Sequence, residues 1–264
     1  MKHTNSTQCT AGALTVEQVT VSVGRTILVR DVSFHAAPGE VTVLVGPNGS
    51  GKSTLLGGVF GARTFSGEIR LGGHRLTELS RLERVRRIGV LTQEQDAALG
   101  TRTREAVELG RTALQGPFGR LSADDDRHVA QAMEKAAVTH LAARDLSTLS
   151  GGERQRTHLA RVLAQDTELI IMDEPTNHLD IGHQRTILRL LTALAREHGR
   201  TVLVALHDLT AAAQFGDHVV LLAGGRVQAV GSPEEVLTPA RISSHFDVDA
   251  QWATVNGTRR LVIE

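Results

Sequence analysis

Short apolar runs alternate with helix-like segments along this chain of 264 residues. Valine and isoleucine alternate with polar residues on both sides of Gly24, which predicts two neighbouring strands joined by a turn. Further apolar runs of strand length lie near residues 40–46, 68–71, 88–92, 168–172, 201–206 and 219–222. Because helical periodicity separates most of these runs, the pattern predicts an α/β protein with a mostly parallel sheet.

One part of the chain departs from this alternation. Residues 103–165 carry helical patterns with no convincing strand, so a helical insertion is expected at about residues 93–160. Ser80, Ser122 and Ser232 each lie three positions before an acidic residue, which is the spacing of a capping box. Each of these serines is therefore predicted to begin a helix.

The chain is expected to form one main domain with a short segment on either side. Residues 1–13 are a polar leader that lacks the apolar region of a secretory signal and is expected to be disordered. The main domain is assigned to residues 14–231. Residues 232–264 form a short C-terminal extension, with a closing hairpin predicted at Asn256-Gly257.

Composition narrows the class of protein. Apolar residues make up 41% of the chain, and 29 basic residues balance 29 acidic ones, which argues against a general nucleic-acid-binding protein. The single cysteine, Cys9, excludes an internal disulfide and fits a reducing compartment. No apolar stretch approaches the roughly 18 residues of a membrane-spanning helix. A cytoplasmic chain is therefore expected, although its partner need not be soluble.

A glycine-rich segment after the run at residues 40–46 has the phosphate-binding form G-x-x-x-x-G-K-[ST]. The predicted nucleotide-binding residues are Gly46, Pro47, Asn48, Gly49, Ser50, Gly51, Lys52, Ser53 and Thr54. The glycines let backbone N–H groups converge on an anion, and the following helix adds the positive end of its dipole. Lys52 would reach the β- and γ-phosphates, and the Ser53 hydroxyl would ligate Mg²⁺. The motif alone does not separate kinases, GTPases and ATPases.

Two adjacent carboxylates follow the apolar run at residues 168–172. They would emerge at the C-terminal ends of parallel strands, where α/β sheets bind ligands. Asp173 suits a contact with Mg²⁺, and Glu174 is placed to polarise a water molecule that attacks the γ-phosphate. Taken alone, the pair could equally cap a helix, but its position after the phosphate-binding motif favours the catalytic interpretation.

A second anion-binding pattern lies at residues 149–153, here called the signature segment. Ser150 and the glycines Gly151 and Gly152 precede a predicted helix, whose first turn could present a hydroxyl and a backbone N–H to a phosphate. Ser150 and Glu153 also fit a capping box, and both interpretations can hold together. Because the chain already has one complete phosphate loop, a second site implies a second nucleotide, held by another copy in a head-to-tail dimer.

The order and spacing of these motifs resemble those of ABC transporter nucleotide-binding subunits over about residues 14–231. The resemblance implies a P-loop NTPase core with an antiparallel β subdomain and a helical insertion. It implies that Gln93 contacts Mg²⁺ and senses the transmembrane partner, and that His207 contacts the γ-phosphate beside Glu174 as part of the catalytic set. By the same resemblance, Asp180 belongs to a loop that crosses the dimer interface.

The segment at residues 173–184 resembles ATPases that serve importers of iron–siderophore complexes, haem and cobalamin. This implies ATP and Mg²⁺ as cofactors, a homodimer, a membrane permease as partner and a peripheral position on the cytoplasmic face of the membrane. A substrate-binding protein would be an indirect partner, and nucleic acid none. The alternatives are a soluble ABC ATPase that assembles complexes, such as an iron–sulfur cluster scaffold, and a non-catalytic scaffold.

Two positions depart from the pattern of the family. Glu153 stands where glutamine is usual. The family's adenine-stacking aromatic residue should lie near Val23, but the chain contains no tyrosine. The sequence therefore predicts which residues bind the phosphates, but it does not identify an aromatic residue that stacks on the adenine.

Overall fold

A six-stranded sheet forms the centre of the computed structural model, which describes residues 12–92, 100–112, 114–115, 120–177 and 179–264. The strands lie in the order β10 (Arg226–Gly231), β9 (His218–Ala223), β3 (Val41–Val45), β8 (Thr201–Ala205), β7 (Leu169–Asp173) and β6 (Ile88–Leu91). All neighbours are parallel except β10, which pairs antiparallel with β9. Strands β3, β7 and β8 are buried at every position, as expected when both faces of a sheet are covered.

A second, antiparallel sheet covers one face of the molecule. Its order is β2 (Thr26–Ala36), β1 (Leu14–Val23), β4 (Phe65–Leu71) and β5 (His74–Arg75). Helix α1 (Lys52–Val59) shares a buried cluster with both sheets through Leu55, Leu56 and Val59. The helix that follows the phosphate-binding motif is thus fixed on both sides. Strand β5 was not predicted, because two polar residues carry no periodic pattern.

The insertion is helical, as predicted, and has its own core. It contains α3 (Thr103–Thr112), α4 (Ala123–Lys135) and α5 (Gly151–Ala164), and it follows α2 (Arg81–Arg87) and β6. Val107, Val129 and Met133 belong to a buried cluster that is separate from the two clusters of the sheets. The capping boxes predicted at Ser80 and Ser122 are both present. This separate core lets the insertion form a structural unit beside the sheet.

The C-terminal extension packs onto the second face of the parallel sheet. That face is covered by α6 (Ile181–His198) and α7 (Leu209–Phe215), and the extension adds α8 (Pro233–Val236), α9 (Pro239–Phe246), β11 (Ala250–Val255) and β12 (Thr258–Ile263). Leu261 is 2% exposed and lies in the same cluster as the sheet. The indole of Trp252 donates to the Leu237 carbonyl at 2.9 Å. The extension therefore shares the core of the main domain.

The extension contains both a confirmed prediction and a missed helix. The hairpin at Asn256-Gly257 is present, and both turn residues have positive φ, as a two-residue turn of this kind requires. Helix α9 was not predicted. Its indication in the sequence is Thr238-Pro239, because the Thr238 hydroxyl accepts a hydrogen bond from the Arg241 N–H and Pro239 opens the helix.

The contacts of the main domain begin two residues before its predicted first residue, Leu14. Ala13 is buried, and the Gly12 carbonyl accepts a hydrogen bond from the Thr201 hydroxyl at 2.6 Å. Gly12 and Ala13 therefore pack on the main domain, and residues 1–11 lie outside the described part. Within the described residues, no helix is long and apolar enough to cross a membrane. The predicted α/β class with a mostly parallel sheet is confirmed.

Truncating Leu261 should measure how far the extension supports the core. We expect Leu261→Ala to lower the free energy of unfolding by about 3 kcal/mol, because it leaves a cavity in the main cluster. The neighbouring Val262→Ala is the matched control, since Val262 is 37% exposed and should cost less than about 1 kcal/mol. Urea denaturation of the full chain gives both values. Equal losses for the two variants would show that the hairpin does not belong to the core.

Candidate active site

The phosphate-binding loop joins β3 to α1 and packs tightly on strand β9. A Cβ atom at Gly46 would lie 2.0 Å from the Leu222 carbonyl oxygen and 2.7 Å from the Ser50 hydroxyl oxygen. Gly51 has φ +103, and a Cβ there would lie 2.9 Å from Val29. Glycine is therefore required at both positions. At Gly46 a side chain would collide with the backbone. At Gly51 a side chain would collide with Val29, and the positive φ also disfavours any other residue.

Lys52 lies over this loop with its ammonium group turned toward the loop backbone. Its Nζ donates to the carbonyl oxygens of Gly46 at 2.8 Å and Pro47 at 3.4 Å. The residue is 5% exposed. Burial lowers the pKa of Lys52, and the nearby carboxylates of Glu174 and Asp173 oppose that shift. A phosphate would supply further negative charge to a cation that is already largely removed from water.

Asp173 ends strand β7 and is 8% exposed. Burial raises its pKa, and a hydrogen bond with the Ser53 side chain partly offsets the rise. Among the described residues, Asp173 Oδ1 has no hydrogen-bond partner, and neither has the buried Ser50 hydroxyl. Buried polar atoms normally have partners, so these orphaned oxygens fit a ligand. Ser53 and Asp173 offer the oxygen donors that Mg²⁺ accepts from proteins when phosphates and water complete its shell.

Glu174 is held on several sides next to Asp173. Its Oε1 contacts His207 Nε2 and lies 4.0 Å from Lys52 Nζ, and its Oε2 accepts from Asn177 Nδ2 at 2.5 Å. The carboxylate is 7% exposed, whereas His207 is 40% exposed and faces the opening of the site. Three predicted residues, Lys52, Glu174 and His207, are thus brought together by the ends of three different strands.

These residues border a cavity of about 480 Å³. The described lining residues are Leu28, Asn48, Gly49, Ser50, Gly51, Lys52, Ser53, Thr54, Glu174 and His207. Leu28 is the apolar side chain in this otherwise polar lining and is 41% exposed. It was not predicted, because the sequence does not show that this leucine is exposed. The contact of Asn177 with Glu174 was not predicted either.

The signature segment lies apart from this cavity. Ser150 caps α5: its N–H and its hydroxyl donate to the Glu153 carboxylate at 2.8 and 2.9 Å, and its hydroxyl accepts from the Glu153 N–H at 3.3 Å. A Cβ at Gly151 would meet nothing within 4 Å. Neither Ser150 nor the two glycines that follow it line the cavity. Within one chain, therefore, the signature segment and Lys52 face different spaces.

Asp180 also lies away from the cavity and is 67% exposed. It caps α6 by accepting the His183 N–H at 2.9 Å, and its other oxygen lies 2.6 Å from His183 Nδ1. Gln93, the predicted sensor of Mg²⁺, lies outside the described residues. Geometry therefore places Lys52, Ser53, Asp173, Glu174 and His207 in one site, and it places Asp180 elsewhere on the surface.

The sequence profile of the ABC transporter family matches residues 29–177. This chain belongs to the ABC transporter family. The ABC subunit is 38% identical over 251 residues to the iron(3+)-hydroxamate import ATP-binding protein of Bacillus subtilis (strain 168), covering 95% of this chain and 93% of that protein. It is 49% identical over 209 residues to the hemin import ATP-binding protein of Nocardia farcinica (strain IFM 10152), covering 78% and 71%.

Solved structures agree with this assignment. The ABC subunit superposes with a TM-score of 0.83 at 26% identity on an inward-facing ABC transporter described as being of the metal-chelate type, covering 96% of each chain. A dimeric bacterial ABC transporter cassette gives a TM-score of 0.74 at 28% identity, covering 84% of this chain and 99% of that one. The chain is an ATP-binding ATPase with the nucleotide-binding fold of this family.

Adding a methyl group to Gly46 should abolish nucleotide binding. We expect Gly46→Ala to lose measurable ATP affinity, because the new Cβ would collide with the Leu222 carbonyl and displace the loop. Gly199→Ala is the control: its Cβ meets nothing within 4 Å, and the residue lies at the end of α6, outside the cavity. Titration of the isolated chain with a fluorescent ATP analogue compares the two. Normal binding by Gly46→Ala would contradict the loop geometry.

Proposed function

We propose that this subunit hydrolyses ATP to drive the import of an iron–siderophore complex, haem or a cobalamin-type compound through a membrane permease. The observation that carries the catalytic part is that the buried Lys52 and Glu174 converge with His207 at the cavity. The names of the relatives support the choice of cargo, since they are import ATP-binding proteins for hydroxamate-bound iron and hemin. The same names favour transport over the iron–sulfur scaffold.

The phosphate loop would hold the nucleotide and Glu174 would act on water. Backbone N–H groups of the loop bind the phosphates, and Lys52 exchanges its carbonyl partners for phosphate oxygens. Ser53 and Asp173 hold Mg²⁺, which when bound neutralises charge on the phosphate oxygens. Glu174 accepts a proton from the water whose oxygen bonds to the γ-phosphorus while the bond to the β–γ bridging oxygen breaks. His207 holds the carboxylate and faces the γ-phosphate.

Two copies would share each nucleotide. Ser150, Gly151 and Gly152 do not line the cavity of their own chain, and Asp180 is exposed. In a head-to-tail dimer with two-fold symmetry, the signature segment of one copy covers the ATP bound by the other. The N-terminus of α5 then presents its unpaired N–H groups and its dipole to the γ-phosphate. Closure of the dimer requires ATP, and hydrolysis reopens it.

Transport further requires partners that this chain does not contain. We place the dimer on the cytoplasmic face of the membrane, against permease subunits that a substrate-binding protein supplies with cargo. Helices α3 and α4 share a core of their own with one side of α5, so they can move together relative to the parallel sheet, into which Leu159 and Val162 of α5 are packed. Gln93, between β6 and this insertion, would serve as the hinge that responds to Mg²⁺. Cargo identity is decided by the permease and the binding protein.

Replacing the proposed base tests the hydrolytic step. We expect Glu174→Gln to reduce kcat by about 100- to 10,000-fold, because an amide cannot accept the proton of water. ATP affinity should persist, and an ATP-bound dimer should accumulate in size-exclusion chromatography. Glu134→Gln on the exposed face of α4 is the control and should hydrolyse ATP normally. Undiminished hydrolysis by Glu174→Gln would exclude this residue as the base.

Uptake measurements in source cells that lack this chain test the cargo. We expect uptake of labelled ferric hydroxamate, haem or cobalamin to be lost, and to be restored by the intact chain but not by Glu174→Gln. Purification of the tagged chain from solubilised membranes should recover a permease. Intact uptake of all three compounds, together with loss of iron–sulfur enzyme activity, would instead support the assembly alternative.

A further inference from the structure

We propose that Gln155 is a positioning residue that couples the two ATP sites of the dimer. It does so by linking the signature helix α5 to residues 174–180, here called the catalytic loop, which begins at Glu174 and ends at Asp180. The inference rests on the proposed function, because it requires that the signature segment and Glu174 of one chain serve different nucleotides.

The link is a side-chain hydrogen bond between two separate elements. Gln155 lies in the second turn of α5, and its Nε2 donates to the Pro175 carbonyl at 3.1 Å. The bond is partly buried, so water competes for it less than at an exposed site. Gly152, about one turn earlier, also lies near the loop, because a Cβ built on it would be 3.5 Å from Leu179 Cδ2. The start of α5 therefore runs along the catalytic loop.

The acceptor of this bond is adjacent to a strained residue. Glu174 has φ 52, a left-handed conformation that non-glycine residues adopt only when their surroundings hold them there. The Glu174 N–H donates to the Ala205 carbonyl at 3.1 Å, and the Glu174 carbonyl accepts from the Asn177 N–H at 3.2 Å. Pro175 has no N–H, so its carbonyl is the backbone group through which a neighbour can fix this residue. Gln155 therefore holds the peptide unit that joins Pro175 to Thr176, and the proline ring connects this unit rigidly to the one that follows Glu174.

A second glutamine, Gln184, also donates hydrogen bonds to the catalytic loop, but it belongs to a different helix from Gln155. Gln184 Nε2 donates to the carbonyls of Thr176 at 3.2 Å and Leu179 at 3.0 Å. Gln184 belongs to α6, which continues directly from the loop, so its bonds close the loop on itself. Gln155 belongs to α5, so its hydrogen bond connects the loop to the helix that binds the partner's nucleotide in the proposed dimer.

The hydrogen bond between α5 and the catalytic loop has a mechanical consequence in the dimer. When Ser150 and its helix engage the γ-phosphate bound by the partner, α5 is fixed in place, and through Gln155 so is the Pro175 carbonyl. Glu174 of the same chain is then held in the orientation needed at its own nucleotide. Occupancy of one site therefore promotes hydrolysis at the other, and the wild-type rate should rise cooperatively with ATP concentration.

Steady-state hydrolysis by the full-length chain tests this coupling. We expect Gln155→Leu, which removes the donor, to lower kcat by about three- to tenfold, the factor for one ordinary hydrogen bond. Its Hill coefficient for ATP should fall to about 1, whereas the wild type stays cooperative. ATP affinity of the monomer should not change, and the thermal midpoint should fall by no more than about 2–6 °C. Gln155→Lys restores a donor of similar reach and should recover cooperativity.

Two further variants keep the test decisive. Gln131→Leu, an exposed glutamine of α4, makes the same substitution outside the contact and should behave as wild type. If Gln155→Leu does not fold, Gln155→Glu keeps the size of the side chain and replaces the donor by an acceptor, with the same expected loss.

Three results would overturn the coupling. They are a non-cooperative wild type, an unchanged Hill coefficient in the Gln155 variants, and a loss of rate that is explained fully by weaker ATP binding or lower stability. Wild-type hydrolysis is measured in every series. Its absence would overturn the proposed function itself, whereas normal wild-type hydrolysis with an unaffected Gln155→Leu overturns the coupling alone.

Discussion

The site depends on a lysine and a glutamate that are both nearly buried, with Lys52 Nζ 4.0 Å from Glu174 Oε1. Removing two charges from water is costly unless further hydrogen bonds compensate them. Here the loop carbonyls of Gly46 and Pro47 receive the ammonium group, and His207 and Asn177 hold the carboxylate. The resulting site holds nearly buried, fixed charges and still leaves polar atoms without partners, which is what a phosphate-binding catalyst needs.

Strand order explains why these groups meet. Strand β3 lies directly beside β8, and β8 lies beside β7, so the carboxyl ends of the three strands are neighbours at one edge of the sheet. Lys52 follows β3 across the loop, Glu174 follows β7, and His207 follows β8. The full burial of these strands makes the edge rigid, because every position is packed on both faces. The order of the strands therefore determines which catalytic side chains can meet at the site.

The signature segment obeys a different constraint. Its hydrogen bonds are those of a capping box, and the boxes at Ser80, Ser122 and Ser232 show the same reciprocal pattern without any proposed ligand. Capping geometry by itself therefore does not distinguish Ser150 from those serines. What distinguishes it is position: α5 begins beside the catalytic loop, with Gln155 on Pro175. The proposed role of Ser150 therefore follows from the position of α5 in the fold, because the capping box itself is shared with other helices.

The sequence alone determined the features that depend on local backbone chemistry. The phosphate loop, the capping boxes, the hairpin at Asn256-Gly257 and the buried strands follow from glycine, side-chain capping and apolar runs, which act within a few residues. Only the tertiary structure decided which distant residues meet. The burial of Leu261 in the main core, Leu28 at the cavity, the contact of Asn177 with Glu174 and the bond from Gln155 to Pro175 have no periodic pattern. These contacts arise from strand order and from packing between elements. The local propensities of a few neighbouring residues do not determine strand order or packing.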